Sequence, residues 1–272
     1  MKYLLTESVK HLKIPSIKVE KGVFSEGEIY FRIKEDIRNK PLIIISNITT
    51  DNLLEFLFSV DAAKRAGAKI KKIIIPFISY ARQDKVYNYG ESVSGGVICT
   101  ILKNLKIPII IYDIHSKLLK KYLSFQHKTL LPILVNKIPK KIRKDCIVIA
   151  PDSGGVERAG KIAKSLNLPL MNIKKVRKGR KIIMNFDKDV SGKNIIIVDD
   201  MISSGTTMVK AAKLLKKEGA KEIYAISTHG LFVGNSKKEL GKSRITKIIV
   251  SNTLSIKSSR QIEVVGVNKF II

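Results

Sequence analysis

The stretch Lys193-Asn-Ile-Ile-Ile-Val-Asp-Asp-Met-Ile-Ser-Ser-Gly-Thr-Thr207 decides the fold of this chain. Ile195 to Val198 form a continuous apolar run, the pattern of a strand covered on both faces. The adjacent carboxylates Asp199 and Asp200 stand where that run ends. A short Ser/Gly/Thr loop follows, and then an apolar-periodic run, Met208 to Leu215, reads as a helix. Such a loop delivers hydroxyls and unpaired backbone N–H groups to a helix N-terminus, where a phosphate is stabilised. The carboxylates beside it accept hydrogen bonds from sugar hydroxyls or bind a hydrated cation. Asp-Asp taken alone is only a strand end and a helix cap. The whole order of strand, carboxylates, loop and helix points to a sugar phosphate.

Outward from this segment the pattern alternates strand and helix. Expected strands are Leu42–Ser46, Ile73–Phe77, Ile107–Tyr112, Cys146–Ala150, Ile195–Val198, Ile223–Ser227 and Ile248–Val250. Continuous apolar strands separated by helical patterns predict an α/β fold with a mostly parallel sheet. The chain also repeats itself. Leu42–Lys69 aligns with Asn194–Lys221 at a constant offset of 152, since 219 − 67 = 152, and each copy ends its helix on Gly-Ala-Lys. In this register Asp199-Asp200 falls on Asn47-Ile48, and Ser203-Ser204-Gly205 falls on Asp51-Asn52-Leu53. The first copy thus lacks the carboxylates and the phosphate loop. Two similar halves are expected, 1–140 and 141–272, joined in the basic stretch Lys137–Lys144.

A chain of 272 residues fits one large or two medium domains. Its two cysteines, Cys99 and Cys146, lie in apolar runs and suggest neither a disulfide scaffold nor a zinc site, which fits a reducing cytoplasm. No signal peptide or membrane-spanning stretch is read. The net charge of +28 is extreme. We read it first as a Lys-rich background that keeps the protein soluble, second as steering of polyanionic substrates, and third as nucleic-acid binding. Aromatics do not interleave with the basic runs, so no stacking platform for bases is evident.

Further segments carry chemistry. Pro151-Asp-Ser-Gly-Gly-Val-Glu-Arg-Ala159 follows a buried strand, and its glycine pair lets backbone approach a ligand closely. The P-loop-like Gly155-x4-Gly160-Lys161 is a decoy, because Ile162 stands where a metal-binding hydroxyl is needed. Tyr80-Ala-Arg-Gln-Asp-Lys85 opens a polar loop running to Ser94; Arg82 can fork onto a phosphate and Gln83 can read a base or ribose edge. Asp113-Ile-His-Ser116 sets His115 at a strand's carboxyl end, a setting for a metal or phosphate contact, and His229 has a similar setting. Lys174–Lys181 packs six cations into eight residues, a density suited to a polyphosphate-facing loop, and extended backbone points Lys175 and Arg177 the same way. Phe24-Ser-Glu-Gly-Glu28 precedes an alternating strand, Ile29–Ile33, and by itself is a turn.

The 193–207 segment resembles the phosphoribosyl diphosphate-binding motif of type I phosphoribosyltransferases. Taken in order, Tyr-Ala-Arg-Gln-Asp, Asp-Ile-His, Pro-Asp-Ser-Gly-Gly-Val-x-Arg-Ala, the Lys-x-Arg loop, Val-Asp-Asp-Met-Ile-Ser-Ser-Gly and Thr-His-Gly resemble the ribose-phosphate diphosphokinase family, from about Phe24 to the Thr253 region. The resemblance implies two type I phosphoribosyltransferase-like domains, each with a mostly parallel central sheet flanked by helices. It implies transfer of the diphosphate of ATP to ribose 5-phosphate with Mg²⁺ as cofactor. It places Phe24, Glu26, Gly27, Glu28, Arg82 and Gln83 at ATP, with the 26–28 turn reaching a neighbouring subunit, hence a homodimer or larger assembly. It places His115 and Asp152 at the metal, and Arg177, Asp199, Asp200, Ser203, Ser204, Gly205, Thr206 and Thr207 at ribose 5-phosphate. Lys175 and Arg177 become the catalytic cations. The family usually has Asp where Glu26 stands and often Pro where Ser92 stands. Two rivals share parts of the pattern. A nucleobase phosphoribosyltransferase needs one such domain and no ATP site, and a non-catalytic nucleic-acid-binding regulator would exploit the basic surface. The first half, with Arg82-Gln83 and His115, argues against the former, and the Lys-x-Arg loop against the latter. Neither a membrane nor nucleic acid is expected as a partner.

Overall fold

In the computed structural model the isoleucine runs are buried strands. Residues 1–172, 174–178, 181–185 and 189–272 are described, with backbone alone for 174–178 and 181–185. The chain divides into two compact units, one of Met1–Thr129 with Val267–Ile272, the other of Leu130–Gly266.

The first unit runs β1 (Lys2–Leu5), β2 (Val19–Val23), β3 (Ile29–Ile33), β4 (Pro41–Ile45), α1 (Leu53–Arg65), β5 (Lys69–Ile75), α2 (Ser94–Asn104), β6 (Ile109–Tyr112) and β7 (Gln126–Lys128). Among the described residues five strands form a parallel sheet in the order β1-β4-β5-β6-β7, while β2 and β3 pair antiparallel as a separate hairpin. Ile44, Ile73, Ile75 and Ile111 are fully buried beneath Phe56 and Val60 of α1 and Cys99 and Leu102 of α2. Burial on both faces explains why these strands read as unbroken apolar runs.

The second unit contains α3 (Leu131–Val135), α4 (Lys140–Arg143), β8 (Cys146–Ala150), α5 (Val156–Leu166), β9 (Leu170–Asn172), β10 (Lys174–Lys178), β11 (Lys181–Asn185), β12 (Asn194–Ile202), α6 (Thr206–Lys217), β13 (Ile223–Gly230), α7 (Ser236–Gly241), β14 (Lys247–Ser251) and β15 (Ile262–Val265). Its parallel sheet has the order β9-β8-β12-β13-β14-β15. A short terminal helix, α8 (Asn268–Ile271), returns to the first unit, where the Tyr112 hydroxyl donates to the Phe270 carbonyl at 2.9 Å. The thiols of Cys99 and Cys146 are buried, and burial pushes them up to about 11 and about 12 respectively, as expected of core residues.

The 152-residue repeat has a structural counterpart. Strand order β1-β4-β5-β6-β7 matches β8-β12-β13-β14-β15, and β9 is added outside β8. Each unit also inserts an antiparallel hairpin before the strand that precedes its repeat helix, β2–β3 in one and β10–β11 in the other. The helix ends agree bond for bond. Gly67 N donates to Lys64 O at 3.0 Å and Ala68 N to Ala63 O at 3.1 Å; Gly219 N donates to Lys216 O at 3.2 Å and Ala220 N to Leu215 O at 3.0 Å. Both glycines take positive φ, 71° and 85°, closing the last turn as a Schellman cap.

Two expectations shift. The expected division after residue 140 lies eleven residues beyond Thr129, where the units part (140 − 129 = 11). The reason is α3, which buries Leu131, Leu134 and Val135 against Val148, Ala159 and Ile162 of the second unit. The strand bearing the aspartates also does not stop at Val198. It runs to Ile202, because β13 continues alongside it and pairs Asp199 with Ser227, Met201 with His229 and Ile202 with Gly230.

Candidate active site

In the second unit the chemistry gathers at the carboxyl ends of β8 and β12. β8 accompanies β12 only as far as Ile149 opposite Ile197. Beyond that point β12 has lost one neighbour, and the chain leaving β8 turns at Asp152. The Asp152 carboxylate accepts from Gly155 N at 3.1 Å and so caps the 3-10 turn Ser153–Gly155 that opens α5. Gly160 and Lys161 lie inside α5, which removes the P-loop reading.

One turn into α5, Arg158 reaches the aspartate pair. Its Nη1 donates to Asp199 Oδ1 at 2.6 Å and also contacts Asp200 Oδ1 closely. Asp199 Oδ1 accepts from Asp200 N as well, at 2.9 Å. The Asp200 side chain is 2% exposed and that of Asp199 16%. Burial pushes the Asp199 carboxyl up to about 8. The neighbouring Asp200 adds to the rise, and Arg158 pulls the other way without cancelling it. The sequence pattern contained Arg158 inside a motif but gave it no task. Its signal was position: a cation three residues after a Gly-Gly turn, beside a strand ending in two carboxylates.

Next along the chain, Ser203–Gly205 leads into α6. Gly205 stands at the N-cap with φ 74° and brings no side chain of its own, while Ser204 Oγ accepts from Thr206 N at 3.4 Å. A Cβ at Gly205 would lie 3.0 Å from Leu240, so conformation and packing both require glycine. Ser204 and Thr206 are exposed, with their hydroxyls 3.1 Å apart. A helix start at a glycine, flanked by hydroxyls and set beside two carboxyl groups, is suited to a phosphate joined to a polyol.

The matching place in the first unit is sealed. Asn47, the counterpart of Asp199, is 1% exposed; its Oδ1 accepts from Phe77 N at 3.0 Å and its Nδ2 donates to Ser8 O at 3.3 Å. Thr49 and Asn52 form a reciprocal capping box at the 3-10 turn Thr50–Asn52 that leads into α1, with Asn52 Oδ1 accepting from Thr49 N at 2.7 Å. The corresponding polar groups of the first unit are thus engaged within that unit.

Other candidates of the first unit lie on its loops. Tyr80 takes φ 65°, and the turn after it is tied by Gln83 N to Tyr80 O at 2.9 Å and by Gly95 N to Gln83 O at 3.0 Å. Arg82 and Gln83 are left exposed. His115 is exposed past the end of β6, after Asp113, which is buried with φ 39°. Phe24, Glu26, Gly27 and Glu28 form the exposed tip of the β2–β3 hairpin, closed by Phe24 N to Glu28 O at 2.8 Å, with Phe24 edge-on to Tyr30 at 6.1 Å between centroids. Lys175 and Arg177 belong to β10, and their side chains lie outside the described residues. His229 is not at a surface. It is 2% exposed within β13, and its Nδ1 lies 3.0 Å from Thr253 Oγ1, in a buried hydroxyl network with Ser251.

Comparison with known proteins matches both halves of the chain. Residues 1–105 match the N-terminal domain of ribose phosphate pyrophosphokinase, and 110–271 match the phosphoribosyl synthetase-associated domain. Ribose-phosphate pyrophosphokinase of Ralstonia nicotianae is 34% identical over 258 residues, covering 92% of this chain and 82% of that one. The Pyrococcus abyssi protein of the same name is 34% identical over 266 residues, covering 95% and 91%. Among solved structures, phosphoribosylpyrophosphate synthetase from Mycobacterium smegmatis superposes with a TM-score of 0.87 at 28% identity, over 99% of this chain and 96% of that one. Family models that span both halves, and relatives matched along most of their own length, make this chain a member of the ribose-phosphate pyrophosphokinase family.

Proposed function

We infer that this protein is a ribose-phosphate diphosphokinase. It transfers the diphosphate of ATP to the anomeric hydroxyl of ribose 5-phosphate, giving phosphoribosyl diphosphate and AMP. The observation that carries the reading in this chain is the junction of β12 and α6. There the buried Asp200 and the half-buried Asp199 adjoin the start of α6 at Gly205, a residue with no capping side chain of its own. In this reading Asp199 and Asp200 receive the ribose hydroxyls, and Ser203, Ser204, Gly205, Thr206 and Thr207 cradle the 5-phosphate through hydroxyls and N–H groups. Arg82 and Gln83 serve ATP, and Phe24, Glu26, Gly27 and Glu28 serve the adenine of a neighbouring subunit in a homodimer or larger assembly.

The donors present fit magnesium. Asp152 is a partly exposed carboxylate at the end of β8 and His115 an exposed imidazole after β6, while no group of three or more potential ligands occurs among the described residues. Magnesium is held by one or two protein groups together with substrate phosphates, not by a full protein cage. In this reading Asp152 or His115 would hold the ion, which would supply positive charge that offsets the phosphates' repulsion of the incoming hydroxyl.

The rest of the work is positioning and charge. A bond forms between the anomeric oxygen and the β-phosphorus, the bond from that phosphorus to the α,β-bridging oxygen breaks, AMP leaves with the electron pair, and the hydroxyl proton is released to solvent. Lys175 and Arg177 stabilise the charge growing on that bridging oxygen. Among the described residues no helix is long and apolar enough to cross a membrane, and a cytoplasmic enzyme is proposed.

The test is a product assay with ATP, Mg²⁺ and ribose 5-phosphate. AMP and phosphoribosyl diphosphate in equal amounts are expected. Consumption of phosphoribosyl diphosphate with a nucleobase, and no AMP, would replace this reading with a phosphoribosyltransferase. Salt-sensitive RNA or DNA binding without turnover would replace it with a regulator.

A further inference from the structure

Two neighbouring carboxylates on one strand do not converge on a diol unaided. Successive strand residues point to opposite faces, and like charges repel. Asp199 and Asp200 nonetheless meet at one atom, Nη1 of Arg158, through Oδ1 of each. The helix start explains the meeting. Asp152 caps the turn before α5, which fixes where the helix begins, and a helical side chain leans back toward the N-terminus. Arg158 therefore projects toward the end of β12.

We propose that Arg158 is a positioning residue of the ribose 5-phosphate site. Its guanidinium bridges Asp199 and Asp200 and fixes their orientation toward the ribose hydroxyls. This rests on the reading of the pair as ribose-binding. The first unit supports the inference independently. Where its copy has the neutral Asn47, that side chain accepts from the Phe77 N–H and donates to the Ser8 carbonyl. In the second unit a guanidinium accompanies the acidic pair.

The experiment compares Arg158→Met and Arg158→Lys with the parent enzyme in steady-state assays, with thermal melts alongside. For Arg158→Met the KM for ribose 5-phosphate is expected to rise about tenfold or more, the effect of losing charge-assisted hydrogen bonds. The KM for ATP should stay within about twofold, since a positioning contact at the pentose leaves nucleotide binding alone. Arg158→Lys is expected to recover part of the loss, because an ammonium supplies the charge but not the planar fork. An unchanged KM for ribose 5-phosphate, or a parallel rise in both KM values that lysine does not relieve, overturns the proposal. If Arg158→Met does not fold, Arg158→Lys decides: a selective rise in the KM for ribose 5-phosphate with an unaltered melt supports it, and no selective rise overturns it. Calorimetric binding of ribose 5-phosphate to Asp199→Asn separates the two readings. Full binding there removes the ribose site itself, whereas loss there with normal binding by Arg158→Met removes only the role of Arg158.

Discussion

Asp199 is held in the folded protein at a free-energy cost that depends on pH. Its carboxyl is pushed up to about 8 from an ordinary value of 3.8, with burial the leading cause. Between those values the folded state keeps a proton that the unfolded chain has lost, so rising pH favours unfolding through this group. The stabilising contribution is complete below about pH 4 and is lost as pH climbs toward 8. Asp199→Asn removes the ionisation. In melts without ribose 5-phosphate the variant should match the parent near pH 4 and exceed it by at least about 1 kcal/mol at pH 8. A difference that shrinks with rising pH would contradict the sign. The same variant should bind ribose 5-phosphate poorly, so that the site gives up stability for binding. At Lys175 the expectation concerns rate. Lys175→Ala should lower kcat on the order of 10²-fold or more while ribose 5-phosphate binding, measured by calorimetry, survives. Wild-type turnover in that variant would exclude the lysine from the mechanism.

The start of α6, the candidate phosphate site, lacks the capping box found ahead of its copy. In the first unit a capping box of Thr49 and Asn52 closes the 3-10 turn Thr50–Asn52 ahead of α1. At α6 Gly205 brings no side chain and adopts φ 74°. Gly205→Ala forces an L-residue into the left-handed region, which costs about 1–2 kcal/mol. It also puts a methyl group 3.0 Å from Leu240. The expected outcome is a lower melting temperature and a raised KM for ribose 5-phosphate, read by scanning calorimetry and initial rates. An alanine variant with both parameters unchanged would show that the loop does not need this geometry. The paired caps at Gly67 and Gly219 belong to the same scale. There the shared Gly-Ala-Lys was legible in sequence because a Schellman cap needs a left-handed residue at one fixed position. The lengthening of β12 to Ile202 was not legible, since strand pairing with β13, not local hydropathy, extends it past the aspartates.

Across the whole molecule, a net charge of +28 stands against two cores rich in isoleucine. Self-repulsion of that size opposes the compact state at low ionic strength. Raising NaCl from about 10 mM to about 150 mM shortens the screening length from about 30 Å to about 8 Å. The melting temperature is therefore expected to rise over that range, and a flat or falling trend in calorimetry would show that the cations are already compensated. The parallel sheets of both units were readable because strands covered on both faces must be apolar throughout, as Cys146–Ala150 and Ile195–Val198 are. Edge strands such as β7 (Gln126–Lys128) and β9 (Leu170–Asn172) escaped, being short and partly exposed.

The amino-acid order by itself determined the repeat, the parallel α/β architecture, and the segment in which carboxylates, hydroxyls and a helix start follow one another. These are local patterns, fixed by hydropathy period and by residues with unusual backbone freedom. Only the tertiary structure decided that Arg158, some forty residues before the aspartates, would bridge them, that His229 would be buried on Thr253, and that Asn47 would be sealed at the matching place in the first unit. Those outcomes depend on which strand ends lie side by side and how deeply they are buried. Separation along the chain records neither.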